Sequence, residues 1–462
     1  MTVTLVLSDP VAAALTEAAR DPLEVAGVLL ATVHGNADGD IRLLVRRHIM
    51  VDEDAYRKRG RDHMAIASEG YVPALAEAER LGVMAIWFHT HPGENGIPLP
   101  SRADIAVDEA IADTFRIRSD SPFYGTLIVS PRQSGFTFSG TLQPEHAPVL
   151  AIDRLWIAGD RWRLVNAFGS HDQAPSPMFD RNVRAFGSDI QRALGDLRIA
   201  IVGCGGTGSA VAEQLVRLGV RRLLLIDADH ITQSNITRVY GLTPAGVGQP
   251  KAKLLKAHLL AIAPDLACEA VIAMITLEPT ARRLADQDLV FGCTDDNAGR
   301  LVLSRLATYM MIPVIDLGVL LSSDAAGTLT GIDGRVTVLI PGEACLVCRN
   351  RIDLARAGAE VLTPTERKRL ADEGYAPALG GTEPAVVTFT TAVAATAVSE
   401  LLERMIGYGP DPRPSEILLR LHEREISTNN AAPRPGHYCD PASGKHGAAG
   451  TVPFLEQVWP QI

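Results

Sequence analysis

Two α/β units in tandem are what this sequence predicts, on three observations. Through the first third, short apolar runs (VAGVLLATV, IRLLV, VMAIWFHTH, YGTLIVSP) alternate with a stretch from Met64 to Leu81 whose apolar positions recur at helical spacing. From about Met178 the rhythm becomes strand, glycine-rich turn, helix, strand in LRIAIVGCGGTGSAVAEQLVRLGVRRLLLIDAD, a βαβ unit. Between the two, FGSHDQAPSP is small, polar and proline-containing, which reads as a linker. The expected organisation is an α/β domain over 1–165 and a linker over 166–177. A Rossmann-like, mostly parallel sheet with helices on both faces follows over 178–430, and a tail of little periodicity over 431–462. Apolar runs at CEAVIAMI, LVFGCT and PVIDLG supply further strands of that sheet, and Pro384 to Met405 reads as a buried or interface helix.

Charge and cysteine usage narrow the function classes. Forty-four basic against fifty-four acidic residues give a net charge of −10, which repels a phosphate backbone and argues against nucleic acid as a partner. The N-terminus has no basic residue ahead of its short apolar run, so no signal peptide is expected. The longest apolar run, Ala385 to Val398, is too short and too rich in Thr to span a bilayer, so no membrane partner is expected. Six cysteines, two of them a CxxC pair, point to metal ligation and core packing in a cytoplasmic protein rather than to a disulfide framework.

The run ending in Trp87 and Phe88 leads into HTHPGENGIPLPSRAD. In an extended segment residues two apart point the same way, so His89 and His91 can reach one cation. Asp104, at the start of a helix, is a third donor, and three N/O donors leave a fourth position for water, as in a catalytic zinc site. Glu24, at the edge of the apolar LEVAGVLL strand, is the candidate general base. The set EVxGxL, HxHP and SxxD resembles the MPN/JAMM metalloproteases over roughly the first 140 residues. That resemblance implies hydrolysis of peptide or isopeptide bonds after the C-terminal glycine of ubiquitin-like proteins. It assigns zinc to His89, His91 and Asp104, general acid/base work to Glu24, and oxyanion stabilisation to Ser101. The nine residues between His91 and Ser101 make a longer loop than the family commonly has, which bears on substrate fit.

In the second unit Gly203, Gly205, Gly206 and Gly208 follow a strand and open a helix, where backbone N–H groups can receive phosphates. Asp227 ends the next strand, as a ribose-binding acid does, and this much would equally suit an NAD-dependent oxidoreductase. Asn235, Arg238, Lys251, Asp295 and Arg300 go beyond hydride transfer. Arg238 and Lys251 can clamp charge building on the phosphates of ATP, Asp295 can hold Mg²⁺, and Asn235 can orient the nucleotide, while Arg300 can simply pair with a carboxylate. Residues 178–430 resemble the ThiF/MoeB-like, ubiquitin-activating superfamily, with Asp296 departing from its usual Asn. The resemblance implies adenylation of a peptide C-terminus and a homodimer in which Arg181, in FDRNVRAFG, reaches the partner's ATP site.

Cys345 and Cys348 form half of a structural zinc site, which His437 and Cys439 would complete, with His446 as a competing donor. No cysteine lies between Cys348 and Cys439, where related activating enzymes carry the one that accepts a thioester. Cys204, Cys268 and Cys293 read as core or loop residues. The adenylate would then pass to a sulfur donor or a conjugating enzyme, or to a hydroxyl of Thr363, Thr365 or Thr382. Together the two resemblances imply a bifunctional enzyme that uses two zinc ions, ATP and Mg²⁺ to process and activate one ubiquitin-like protein, as in bacterial gene clusters that include antiviral defence. A non-catalytic scaffold binding such a protein is the other open reading.

Overall fold

The computed structural model describes residues 1–35, 39–93, 96–133, 135–167, 175–363, 365–367, 369 and 385–460. These fall into two compact units, residues 1–173 with 447–450 and residues 174–446 with 451–462. Part of the expected linker, Thr382 and Pro384 lie outside the described residues.

In chain order the first unit contains β1 (Val3–Leu7), α1 (Asp9–Arg20), β2 (Ala26–Gly35), β3 (Ile41–Met50), β4 (Tyr56–Arg59), β5 (Met64–Ile66), α2 (Val72–Leu81), β6 (Met84–Thr90), α3 (Arg102–Ser119), β7 (Phe123–Arg132), β8 (Gly135–Pro144), β9 (Leu150–Ala151), β10 (Arg154–Ala158) and β11 (Trp162–Asn166). Nine of these strands make a mixed sheet in the order β11-β10-β1-β3-β2-β6-β7-β8-β9. Strand alternation sorts β6 onto two cores. Met84, Ile86 and Phe88 join the face covered by α1, while Ala85 and Trp87 join Leu75, Phe115 and Tyr124 on the face of α2 and α3. The continuous helix expected from Met64 is instead strand β5, a 3₁₀ turn and then α2. Tyr71 caps the helix and Pro73 sits in its first turn, where its missing N–H costs nothing.

The second unit continues with α4 (Asp180–Asp196), β12 (Arg198–Val202), α5 (Gly206–Leu218), β13 (Arg222–Ile226), α6 (Lys251–Ile262), β14 (Ala267–Val271), α7 (Glu278–Arg282), β15 (Leu289–Gly292), α8 (Asn297–Tyr309), β16 (Val314–Ser323), β17 (Leu329–Leu339), α9 (Leu354–Glu360), α10 (Val387–Ile406), β18 (Glu416–Arg420) and β19 (Glu425–Asn429). Its sheet runs β14-β13-β12-β15-β16-β17-β18-β19. The ladders from β14 through β16 are parallel, but β16–β17, β17–β18 and β18–β19 are antiparallel, so the mostly parallel sheet expected is parallel in one half only. The chain leaves β12 toward β13 and β14, then returns to pair β15 on the other side. This reversal makes the carboxyl end of β12 a topological switch point, where such sheets bind ligands. The tail is pinned rather than loose: Arg305 Nη1 donates to the Leu455 carbonyl at 2.9 Å and Tyr309 Oη to Glu456 at 2.7 Å. Among the described residues no helix is long and apolar enough to cross a membrane.

Candidate active sites and metal centres

His89 and His91 continue the parity of Ala85 and Trp87, so both face α3. Ser101 caps that helix. Its Oγ accepts from Asp104 N at 3.2 Å and its own N–H donates to Asp104 Oδ2 at 2.7 Å, a capping box that fixes the Asp104 carboxylate. The three side chains converge: His89 Nε2 lies 3.2 Å from His91 Nε2 and 3.3 Å from Asp104 Oδ1, and His91 Nε2 lies 3.3 Å from Asp104 Oδ2. Tetrahedral bonds of about 2.0–2.1 Å would separate ligand atoms by about 3.3 Å, so the donor set fits a zinc ion. Burial penalises the Asp104 charge, but hydrogen bonds from His89 and His91 outweigh it and hold the carboxyl far below its ordinary value. Glu24 is buried beside them, and that burial raises its pKa although both histidines pull it down. The backbone of Glu24 is held as well. Its N–H donates to Gly60 O at 2.8 Å, and its carbonyl accepts from Arg59 Nε at 2.9 Å.

Sequence reasoning missed Asp108 and Tyr124 at this site. One turn beyond Asp104, Asp108 accepts from Tyr124 Oη at 2.9 Å, and burial raises its pKa despite that bond and the field of His89. The i, i+4 spacing from Asp104 was the available signal.

At the switch point Gly203 adopts φ +94°, and a Cβ there would lie 2.6 Å from the Cys293 carbonyl, while one on Gly208 would overlap the Gly203 carbonyl. Gly205 caps α5 and Gly206 opens it. Asp227 pins this loop, accepting from Cys204 N at 2.6 Å and from Asp229 N at 2.8 Å. Burial raises its pKa against the pull of Lys251. Lys251 Nζ pairs with Asp229 Oδ2 at 2.7 Å, a partner that the IDAD spacing contained but sequence reasoning passed over. Arg238 reaches the same loop, its Cδ 3.4 Å from where a Gly206 Cβ would be. Asp295 is exposed on the turn after β15, next to the Cys293–Thr294 segment that abuts Gly203. One such carboxylate with substrate phosphates is a usual Mg²⁺ donor set. Asn235 is buried and its amide oxygen accepts from Thr232 N at 2.9 Å, a local cap, while Arg181 is exposed in the first turn of α4. Arg300 Nε lies 3.4 Å from buried Asp316, which Arg335 also pairs, so it serves a carboxylate.

The second cluster is closed. Cys345 and Cys348 Sγ lie 3.5 and 3.4 Å from His437 Nδ1, and Cys439 Sγ lies 3.6 Å from Cys348 and 3.3 Å from His437. These separations fit the edges of a zinc tetrahedron, about 3.3 to 3.8 Å. His446 is not a donor here, because its Nε2 faces the Cys439 carbonyl at 3.2 Å. The neighbouring Cys439 thiol lowers the pKa of Cys345. Elsewhere burial pushes Cys268 up to about 11, and Cys204 and Cys293 further, so none of the three is a ready nucleophile. Of the hydroxyl candidates, Thr363 is engaged with Glu366 at 2.6 Å.

A sequence profile described as the ThiF family matches residues 179–440. The molybdopterin-synthase adenylyltransferase of Escherichia coli K12 is 34% identical over 172 residues, 37% of this chain and 65% of that protein. Ubiquitin-like modifier-activating enzyme 5 of Oryza sativa subsp. japonica is 33% identical over 174 residues, 35% of this chain and 39% of that protein. The chain thus spans less than two thirds of these relatives' own length. The crystal structure of E. coli MccB superposes with a TM-score of 0.46 at 18% identity, covering 59% of this chain and 74% of that one.

Proposed function

The chain belongs to the ThiF family, and from that premise we propose that its second unit uses ATP to adenylate the C-terminus of a ubiquitin-like or sulfur-carrier protein. The observation that carries this reading is the convergence of the glycine loop, Arg238, Lys251 and Asp295 on one switch point. The two relatives, an adenylyltransferase and a modifier-activating enzyme, agree with it. A terminal carboxylate oxygen attacks the α-phosphorus, the bond to the bridging oxygen breaks, pyrophosphate departs and an acyl-adenylate forms. Negative charge grows on the phosphoryl oxygens, where Arg238, Lys251 and the N–H groups opening α5 stabilise it. Asp295 would hold Mg²⁺, which neutralises departing pyrophosphate. The product goes to a sulfur donor or conjugating enzyme, since no cysteine stands where a thioester would form. Arg181, exposed near the start of the unit, is assigned to a homodimer contact.

For the first unit the reading is hydrolysis of a peptide or isopeptide bond at the same protein's C-terminal glycine, supported by the His89, His91, Asp104 triangle beside Glu24. These three residues would hold zinc, which supplies Lewis-acid polarisation when bound. Glu24 takes the proton of the attacking water and returns it to the departing amine. Two sites acting on one terminus gain from fusion by effective concentration. The test is ATP–pyrophosphate exchange by the full chain with a small protein ending in Gly-Gly. Wild type is expected to exchange, and Asp295→Ala to lose about 100-fold. Undiminished exchange in the variant, or binding of a nicotinamide dinucleotide in place of ATP, would overturn the reading.

A further inference from the structure

Beside Glu24 stands a feature that the hydrolytic reading leaves unused. The β4–β5 hairpin carries Arg57, Lys58, Arg59 and Arg61 against the single anion Asp62, in a chain whose net charge is −10. Arg59 is its anchor: half-buried, it pairs with Asp21 and Glu53, each at 2.9 Å, and donates to the Glu24 carbonyl. Gly60 O accepts from Glu24 N at 2.8 Å, so the turn of the hairpin is tied to the backbone of the candidate base. The other three cations are exposed, and their side chains form no hydrogen bond or ion pair with any described residue. Arg61 lies against the histidine loop, since a Cβ built on Gly93, two residues past His91, would lie 2.5 Å from its Nη2. A guanidinium at that place is also within the field of Asp62, whose pKa falls chiefly through its hydrogen bond to His63 and in part through Arg61.

We infer that Arg61, on the basic β4–β5 hairpin, forms a cationic lip on the Glu24–His89–His91 centre and selects peptide substrates bearing acidic side chains beside the scissile bond. Among the described residues Arg61 has no hydrogen-bonded or ion-pair partner for its side chain, and a carboxylate docked there would meet a planar guanidinium donor suited to bidentate contact. Long-range attraction would also favour encounter with an acidic tail at low salt. The inference rests on the hydrolytic reading only for the word substrate, because binding can be measured without turnover.

The test compares fluorescein-labelled octapeptides containing Gly-Gly flanked by two Glu, two Gln or two Lys. Anisotropy titration of the metal-free full chain is expected to show the Glu peptide binding about fivefold tighter than the Gln peptide, a difference that fades with added salt. Arg61→Glu should reverse the preference toward the Lys peptide, and Arg61→Lys should keep most of it. Equal affinity for all three peptides, or a preference that survives Arg61→Glu combined with Arg57→Glu and Lys58→Glu, overturns the lip. The zinc-loaded chain then separates the two claims. Hydrolysis that ignores the flanking charge sinks the lip and keeps the peptidase. A binding preference that Arg61→Glu reverses, with no cleavage of any peptide, keeps the lip as an acidic-peptide site and sinks the peptidase.

Discussion

The cluster of His89, His91 and Asp104 and the cluster of Cys345, Cys348, His437 and Cys439 differ in donor number and in company. The first offers three N/O donors and, outside that donor set, a buried carboxyl, Glu24, within their electrostatic field. The second offers four donors that surround the centre, three of them thiols. Three donors leave a position for a reactant, whereas four close the shell. The contrast teaches that an open shell is useful only with a proton carrier beside it, and that a closed shell contributes by joining pieces of chain. Here it ties the turn after β17 to the tail some ninety residues later.

The sharpest way to break that contrast is Glu24→Gln. If the carboxyl only moves protons, hydrolysis of a Gly-Gly-linked peptide should fall roughly 10²- to 10⁴-fold. The zinc bound by the first unit, measured by elemental analysis, should stay at the wild-type level. Loss of zinc together with loss of turnover would make Glu24 a ligand and remove the asymmetry between the clusters.

A second, smaller effect separates chemistry from scaffold. Chelator added slowly should strip the three-donor site first and stop hydrolysis while leaving the melting profile of the second unit unchanged. Cys348→Ser opens the closed shell instead, and should lower that unit's melting temperature by on the order of 10 °C, with ATP exchange falling only as far as the fold does. A His446→Ala change should do neither, since that ring faces a carbonyl. Should Cys348→Ser bind zinc and melt like wild type, the second cluster would have no structural role.

How much of this was legible from sequence follows the same division. In the first unit His89, His91 and Asp104 lie close in the chain. Strand alternation followed by an SxxD cap converts that proximity directly into geometry. In the second cluster spacing could not choose between His437 and His446, because both rings are within reach of Cys439 and only the fold of the tail turns one of them away. Apolar runs announced β16 and its neighbours, but strand direction has no local signature, so the antiparallel extension through β19 was invisible. Strand β5 was absorbed into a helix for a related reason. Met64, Ala67 and Tyr71 keep a helical spacing while Met64 and Ile66 alternate as strand residues do, and pairing with Tyr56 and Arg59 decided between them. The local bond from Thr232 N to the Asn235 oxygen has no signature in the sequence either.

The smallest expected effect tests what Ser101 is for. The resemblance gives its hydroxyl to the oxyanion, but in the structure that oxygen accepts from Asp104 N and so holds a ligand in place. Removing the cap in Ser101→Ala should cost about 1 kcal/mol of first-unit stability and loosen zinc modestly, because Asp104 keeps its bond to the Ser101 backbone N–H. Asn caps as well as Ser but lacks a hydroxyl, so Ser101→Asn distinguishes the roles. If capping is the whole role, the Asn variant regains stability, zinc affinity and kcat together. If the hydroxyl also contacts the reacting carbonyl, stability and zinc affinity return while kcat stays depressed. A chain in which Ala, Asn and Ser perform alike would give the capping box no part in positioning Asp104. The open shell would then be held by the two histidines and by the packing of α3 against β6 alone.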